Sequence, residues 1–284
     1  MIKFFNWFGG KGRCLTQFLS LIPYDCTEWY ELCCGSGVVT LNKARHGVEV
    51  VNDLDPEIYN LFRTMADREN GKILLDRLLD LEYSEAMFNK AKAAKANQFS
   101  GMNEIEMAEM SFILISQSFN ATRRKWSNSR SQEDYTWTLR KNLPEVYSRL
   151  QGVTVWNRDC IEVLAEMKEN PNACILLDVP YRPSLRGVKK VYTCEMSEEL
   201  HKKMLETIQD SKNKIILCGY RENNGQDLYD EYLLPYGWKH YKVADLVKAC
   251  QIKDKKDVAE EWIWVNYELP DFSKYMINHG TSKK

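Results

Sequence analysis

The segment Leu177-Asp178-Val179-Pro180-Tyr181 sets a carboxylate, a backbone bend and an aromatic ring side by side. That combination suits one demanding reaction, alkylation of an amino group carried on a flat heteroaromatic ring. Such a nitrogen is a poor nucleophile because its lone pair is spread into the ring. Two acceptors for its two hydrogens, the Asp178 carboxylate and a neighbouring main-chain carbonyl, would hold the nitrogen closer to tetrahedral and free the lone pair. Positive charge then builds on the nitrogen, so a fixed negative group beside it favours the transition state over the ground state. Tyr181 would stack on the ring. Without that chemistry, the same segment is a buried strand end followed by an ordinary proline turn.

Two other segments end strands in a similar way. Glu31-Leu32-Cys33-Cys34-Gly35-Ser36-Gly37 is a glycine turn that allows a sharp bend and a close approach of backbone to a ligand; it is equally the form of a purely structural turn. The dinucleotide fingerprint wants a small residue three positions after Gly37, where Thr40 stands, which argues against a nicotinamide or flavin cofactor. Asn52-Asp53-Leu54-Asp55 places Asp53 22 residues after Glu31, a spacing that suits an acceptor for ribose hydroxyls. An Asp at a strand end also serves as a helix cap, and Asp55 before Pro56 reads as one.

These segments need a parallel sheet, because ligands of such sheets bind beyond the carboxyl ends of the strands. The pattern supplies it. Strands are predicted at Glu28–Cys33 and Val48–Val51, with helices from Val38 to Arg45 and from Pro56 to about Ala66. Further strands are predicted over 153–156, Cys174–Asp178 and Lys214–Cys218, with helices at Cys160–Lys168, capped by Asp159, and Glu198–Ile208. Trp238–Val247 and Glu261–Tyr267 flank a lysine-rich turn and read as an antiparallel pair. The expected fold class is α/β, a Rossmann-like sheet.

The middle of the chain differs. Residues 64–151 carry helical periodicity, with Leu74–Leu81 and Met107–Ile115 apolar on one face, separated by a polar Lys90–Ser100 segment. After Asn120 the chain turns basic, polar and aromatic, and much of it reads as loop. This gives a catalytic domain of residues 1–63 and 152–284, with an inserted helical subdomain over 64–151.

The 284 residues carry a net charge of −1, so the distribution of charge says more than the total. Seven basic residues, Arg123, Arg124, Lys125, Arg130, Arg140, Lys141 and Arg149, face three acids between Ser111 and Leu150. A second basic stretch holds Arg182, Arg186, Lys189 and Lys190 with no acid. Each is a solvated face or a nucleic-acid contact. The nine cysteines form no CxxC pair and the four histidines no HExxH, so reduced thiols and no metal are expected. No apolar run is long enough to span a membrane, and the opening residues lack the pattern of a signal peptide, so the expected compartment is the cytoplasm.

Taken together in order and spacing, the motifs resemble those of the Dam-like DNA adenine methyltransferases, especially versions carried by phages and mobile elements. Asn6-Trp7-Phe8-Gly9-Gly10-Lys11 is similar to the family's K-W-x-G-G-K, with Asn6 in place of the first Lys. Glu31–Gly37 resembles its E-P-F-x-G-x-G loop, and Asp178–Tyr181 its D-P-P-Y, with Val179 in place of Pro. Tyr192–Ser197, His201, Cys218-Gly219-Tyr220 and Glu261–Tyr267 follow the same group's pattern.

The resemblance implies transfer of a methyl group from S-adenosylmethionine to the amino group of an adenine flipped out of double-stranded DNA. It implies cofactor contacts from Trp7, Gly10, Lys11, Glu31, Gly35, Gly37, Asp53, Asp159 and Asp178, and catalysis by Asp178, Val179, Pro180 and Tyr181. It places a target-recognition domain in the middle insertion, where Arg123, Arg124, Lys125 and Trp126, with Arg182 and Arg186, are candidates to touch DNA. Trp126 has two readings, a wedge between bases or a half-buried core residue. The insertion lacks the F-N-V-P-x-G stretch of enzymes that read GATC. A monomer is expected. The competing expectations are a catalytically impaired DNA- or cofactor-binding relative, in which Val179 marks the loss, and a methyltransferase acting on RNA.

Overall fold

A computed structural model describes residues 1–186, 192–222, 227–247 and 258–279. Among the described residues the strands are β1 Glu28–Leu32, β2 Val48–Asn52, β3 Thr154–Trp156, β4 Ala173–Leu177, β5 Lys214–Gly219, β6 Lys239–Val247 and β7 Val258–Val265. Parallel strands joined through helices and finished by an antiparallel pair make this an α/β, Rossmann-like fold. The chain divides into two compact units, each described in turn.

One unit comprises Lys11–Cys33, Ala44–Val48 and Arg158–Lys284. Its strands follow the order β1-β4-β5-β7-β6. All five residues of β4 are buried, as an unbroken apolar run covered on both faces requires. Leu32 of β1 pairs with Leu177 of β4, and Leu177 with Leu217 of β5, so these three parallel strands run in step. Asp178 is therefore the first residue off the end of β4. Strand β7 runs the other way beside β5, with Trp262 opposite Gly219. Strand β6 completes the expected antiparallel pair with β7, and the lysine-rich turn between them lies outside the described residues.

The other unit comprises Met1–Gly10, Cys34–Lys43 and Glu49–Asn157. Strands β2 and β3 pair in parallel, Val50 with Thr154 and Asn52 with Trp156. Asp55 caps the Pro56–Ala66 helix, accepting from the Glu57 amide at 3.0 Å, with Pro56 at the helix start. Helices Arg68–Leu79, Glu85–Ala96, Glu104–Ser116 and Gln132–Leu150 follow. Their apolar faces share one core with Ile58, Leu61, Phe62 and Met65 of the Pro56–Ala66 helix and with Phe4 and Phe5 near the start of the chain. Each large side chain so buried contributes about 1.5–3 kcal/mol. Because that core is shared, the compact unit does not begin at residue 64, as the sequence division into 1–63, 64–151 and 152–284 has it.

The polar stretch Lys90–Ser100 lies mostly inside the Glu85–Ala96 helix, which buries only Phe88 and Ala91. One segment differs from expectation. The region after Asn120 is not mainly loop. Residues Gln132–Leu150 form a helix capped by Ser131, with Tyr135, Leu139, Leu143, Val146 and Leu150 buried at helical spacing. The charged residues between them dilute that stripe in the sequence, and Pro144 reads as a breaker. Near the end of this helix Arg149 donates to both oxygens of Glu49 at 2.7 and 2.8 Å. Burial alone would raise the Glu49 pKa, but its bonds from Arg149 and Lys43 outweigh that and draw it down to about 2.

Candidate active site

Within the unit built on β4 and β5, four side chains from separate segments meet. Lys11 opens a short 3₁₀ turn, Asp178 and Tyr181 follow β4, and Glu261 lies on β7. The Lys11 ammonium donates to Oδ1 of Asp178 and, at 2.9 Å, to the Tyr181 hydroxyl; the Glu261 carboxylate is 3.3 Å away. The Tyr181 hydroxyl donates to Oε1 of Glu261. Lys11 and Glu261 side chains are each 3% exposed, whereas Asp178 keeps 22%. The Tyr181 ring takes the edge of Tyr220 at 4.6 Å.

The charges in this cluster follow from burial and proximity. Burial works to lower the Lys11 pKa, but Asp178 and Glu261 outweigh it and hold the ammonium well above the usual lysine range. Burial raises the Glu261 pKa, with Lys11 opposing. Burial, with Glu261 adding to it, pushes the Cys14 thiol up to about 12, and the Cys218 thiol is also raised, so neither is a thiolate nucleophile. Among the described residues none donates to Oδ2 of Asp178, and that carboxylate therefore has one oxygen held and one available. Val179 is buried, 1% exposed. Behind this loop His201 is fully buried with the Tyr229 hydroxyl 2.8 Å from Nδ1, and burial lowers its pKa to about 4, so it is neutral.

The second unit gathers Trp7, Gly10, Gly35, Gly37 and Asp53. The Gly10 amide donates to the Trp7 carbonyl at 3.2 Å, closing the turn before Lys11. Gly35 and Gly37 have φ of 51° and 59°, the left-handed conformation a glycine turn requires. Beyond β2, Asp53 accepts from the Gly35 amide at 2.9 Å and from the Asp55 amide at 3.0 Å. Burial raises its pKa to about 6 against these amide bonds and the nearby Arg123 charge. A carboxylate fixed by two amides on a glycine turn is a rigid acceptor.

The structure separates the candidate DNA-contact residues. Arg123 is not a surface residue: its side chain, 9% exposed, pairs with Asp55 at 2.8 Å and Glu57 at 3.1 Å and lies 5.1 Å over the Trp7 ring. These two acids share its charge, so the guanidinium expected to touch DNA is engaged within its own unit. Arg124 and Lys125 are exposed. Trp126 is half-buried, with its ring 4.6 Å from Tyr83 and 6.2 Å from Phe88. Arg182 pairs with Glu198 and Glu222, and Arg186 with Glu195, so neither presents an open guanidinium. Lys189 and Lys190 lie outside the described residues.

Among the other candidates, Glu31 is buried on β1, and Asp159 caps the Cys160–Met167 helix, accepting from the Ile161 amide at 2.7 Å. The residue that motif reading did not single out is Glu261. An acid leading the apolar run Trp262-Ile263-Trp264-Val265 was its signal.

A family model described as D12 class N6 adenine-specific DNA methyltransferase matches residues 7–243. No curated protein matches the chain. Among solved structures, precorrin-6y C5,15-methyltransferase from Geobacter metallireducens GS-15 aligns with a TM-score of 0.37 and 10% identity, over 89% of this chain and 85% of that one. So loose a likeness says nothing about the site.

Proposed function

The chain belongs to the D12 class N6 adenine-specific DNA methyltransferases, and from that membership we propose how its residues divide the work. Asp178 and the Val179 carbonyl accept the two hydrogens of the adenine amino group. The nitrogen lone pair is freed, and the charge that develops as the N–C bond forms and the donor's sulfur–methyl bond breaks meets a fixed carboxylate; the donor leaves as a neutral thioether and the nitrogen gives up one proton to solvent. Tyr181 stacks on the flipped base. Lys11 holds Oδ1 of Asp178, which leaves Oδ2 for the substrate.

The methyl donor is S-adenosylmethionine, which supplies an electrophilic methyl group when bound. Asp53, held on the Gly35 turn, is its acceptor for ribose hydroxyls, with Trp7, Gly10 and Gly37 of the same unit beside it in this reading. Arg124 and Lys125 meet double-stranded DNA, where cations neutralise phosphates. Eight described cysteines are free thiols, which agrees with work in the cytoplasm. Among the described residues no helix is long and apolar enough to cross a membrane.

The observation that carries this reading is the division of Asp178: one oxygen on Lys11, the other with no described donor. The test is transfer of labelled methyl from S-adenosylmethionine to unmethylated genomic DNA, followed by nucleoside analysis and sequencing of the modified positions. N6-methyladenine in one short sequence context is the expected result. No incorporation by protein that binds the cofactor would overturn it.

A further inference from the structure

Methyl transfer as described uses Asp178 and Tyr181 and leaves Glu261 without a role. Yet Glu261 is an ionisable residue buried to 3% exposure, midway along β7, where the following Ile263, Trp264 and Val265 are fully buried. A carboxylate in such surroundings persists only when it is bonded. Its bonds go to two groups of the reacting centre, the Tyr181 hydroxyl and the Lys11 ammonium. Other titratable groups facing it are the protonated thiols of Cys14 and Cys218 and the phenol of Tyr220, none of which supplies a charge.

The geometry has a consequence for Asp178. One ammonium serves two carboxylates, and its position between them is set by both. With Glu261 and Tyr181 drawing on Lys11, the ammonium engages only Oδ1 of Asp178. Without that pull, Lys11 could move onto both oxygens and compete with the amino group. The Tyr181 hydroxyl would also be left with Lys11 as its one described partner, beside the edge-to-face packing of Tyr220 on the ring.

We propose that Glu261 is a positioning residue of the methyl-transfer centre: by clamping the Tyr181 hydroxyl and the Lys11 ammonium it keeps one oxygen of Asp178 open for the adenine amino group and holds the stacking ring in place. This rests on the methyl-transfer reading above. Glu261 touches neither the reacting atoms nor, by this account, the cofactor.

The test measures kcat, KM for DNA, S-adenosylmethionine affinity and thermal unfolding for the wild type, Glu261→Gln, Tyr181→Phe and the double variant. Glu261→Gln should lower kcat by about 30-fold or more, with cofactor affinity within about threefold of wild type. In the Tyr181→Phe background the same change should cost under about tenfold, because the two residues act partly as one unit. Glu261→Gln with kcat within threefold of wild type would overturn the proposal. So would a parallel fall in kcat, cofactor affinity and unfolding temperature, the mark of a merely structural residue. Tyr181→Phe, which leaves Glu261 on Lys11, must lower kcat alone; a neutral result overturns the proposal even if Glu261→Gln does not fold. A wild-type chain that transfers no methyl group would sink both this proposal and the reading beneath it.

Discussion

The indole of Trp7 lies against Gly35 so closely that a β-carbon at residue 35 would stand 2.4 Å from Nε1. Gly35 also has φ of 51°. Gly35→Ala therefore carries a backbone cost of roughly 1–2 kcal/mol and an overlap cost of about 1–3 kcal/mol. Gly101→Ala separates the two, because Gly101 has φ of 77° and nothing within 4 Å of the added atom. The expected outcome is a larger fall in unfolding temperature for Gly35→Ala than for Gly101→Ala, with at least tenfold weaker S-adenosylmethionine binding for Gly35→Ala alone. Calorimetry on both variants checks it, and equal behaviour would count against a Trp7–Gly35 contact of this kind.

Asp53 makes pH act on stability and binding in opposite directions. Its folded pKa, about 6, lies above the ordinary value of 3.8. A raised folded pKa means that the stabilising contribution is complete below the unfolded pKa and is lost as pH rises through the folded one. The free protein should lose stability between about pH 4 and 6 on this account, while cofactor affinity should rise as the carboxylate forms and accepts from ribose hydroxyls. Asp53→Asn should flatten both trends. Titrating cofactor binding and unfolding across this range tests the pair, and a wild-type affinity unchanged from pH 5 to 7 would contradict the role given to Asp53.

Neighbouring arginines should behave differently. Arg123→Met leaves Asp55 and Glu57 without their shared cation, though Glu57 keeps Lys95, so the cost should fall at or below the low end of the about 3–5 kcal/mol of a broken buried pair. Arg124→Ala and Lys125→Ala remove exposed charges, so stability should stay within about 0.5 kcal/mol. Each of the latter should weaken DNA binding and reduce the slope of log affinity against log salt by about 0.9. Salt titration of DNA binding, beside chemical unfolding, checks both. A stable Arg123→Met variant with weakened DNA binding would reverse the assignment.

The parallel sheet and the ends of β1, β2 and β4 are legible because each rests on local pattern: a β-branched run before Asp53, an unbroken apolar run before Asp178 and, for β1, the glycine turn at Gly35 that ends it. The Asp55 and Asp159 caps were legible for the same reason. The 132–150 helix was not, because its buried residues are separated by charged ones and Pro144 sits within it; the packing against neighbouring helices, not propensity, decides it. The pairing of Arg123 is not legible in the sequence because its charge says nothing about its partners, and Asp55 and Glu57 are more than 60 residues away in the chain. Glu261 stands in the recognised Glu261–Tyr267 stretch, but its role is not legible there for a related reason. Its meaning depends on Lys11 and Tyr181, which only the folded chain brings to it.

Val179 stands where the related motif has proline, and the structure makes the reverse substitution informative. Its carbonyl is the second acceptor for the amino group, and proline at the same position keeps that carbonyl. The residue before a proline is held extended, which suits Asp178 at the end of β4. Val179 is 1% exposed, and proline is no larger, so the site accommodates it without overpacking. Proline also removes one amide hydrogen that burial obliges the chain to satisfy. A second stiff residue narrows the range of positions open to the carbonyl, which favours the reacting geometry. Val179→Pro should therefore equal the wild-type kcat or exceed it severalfold, with cofactor affinity unchanged. Steady-state methylation of DNA by the two proteins decides the matter. A loss of more than about tenfold, in a variant that unfolds at the wild-type temperature, would show that the Val179 carbonyl does not act as the second acceptor.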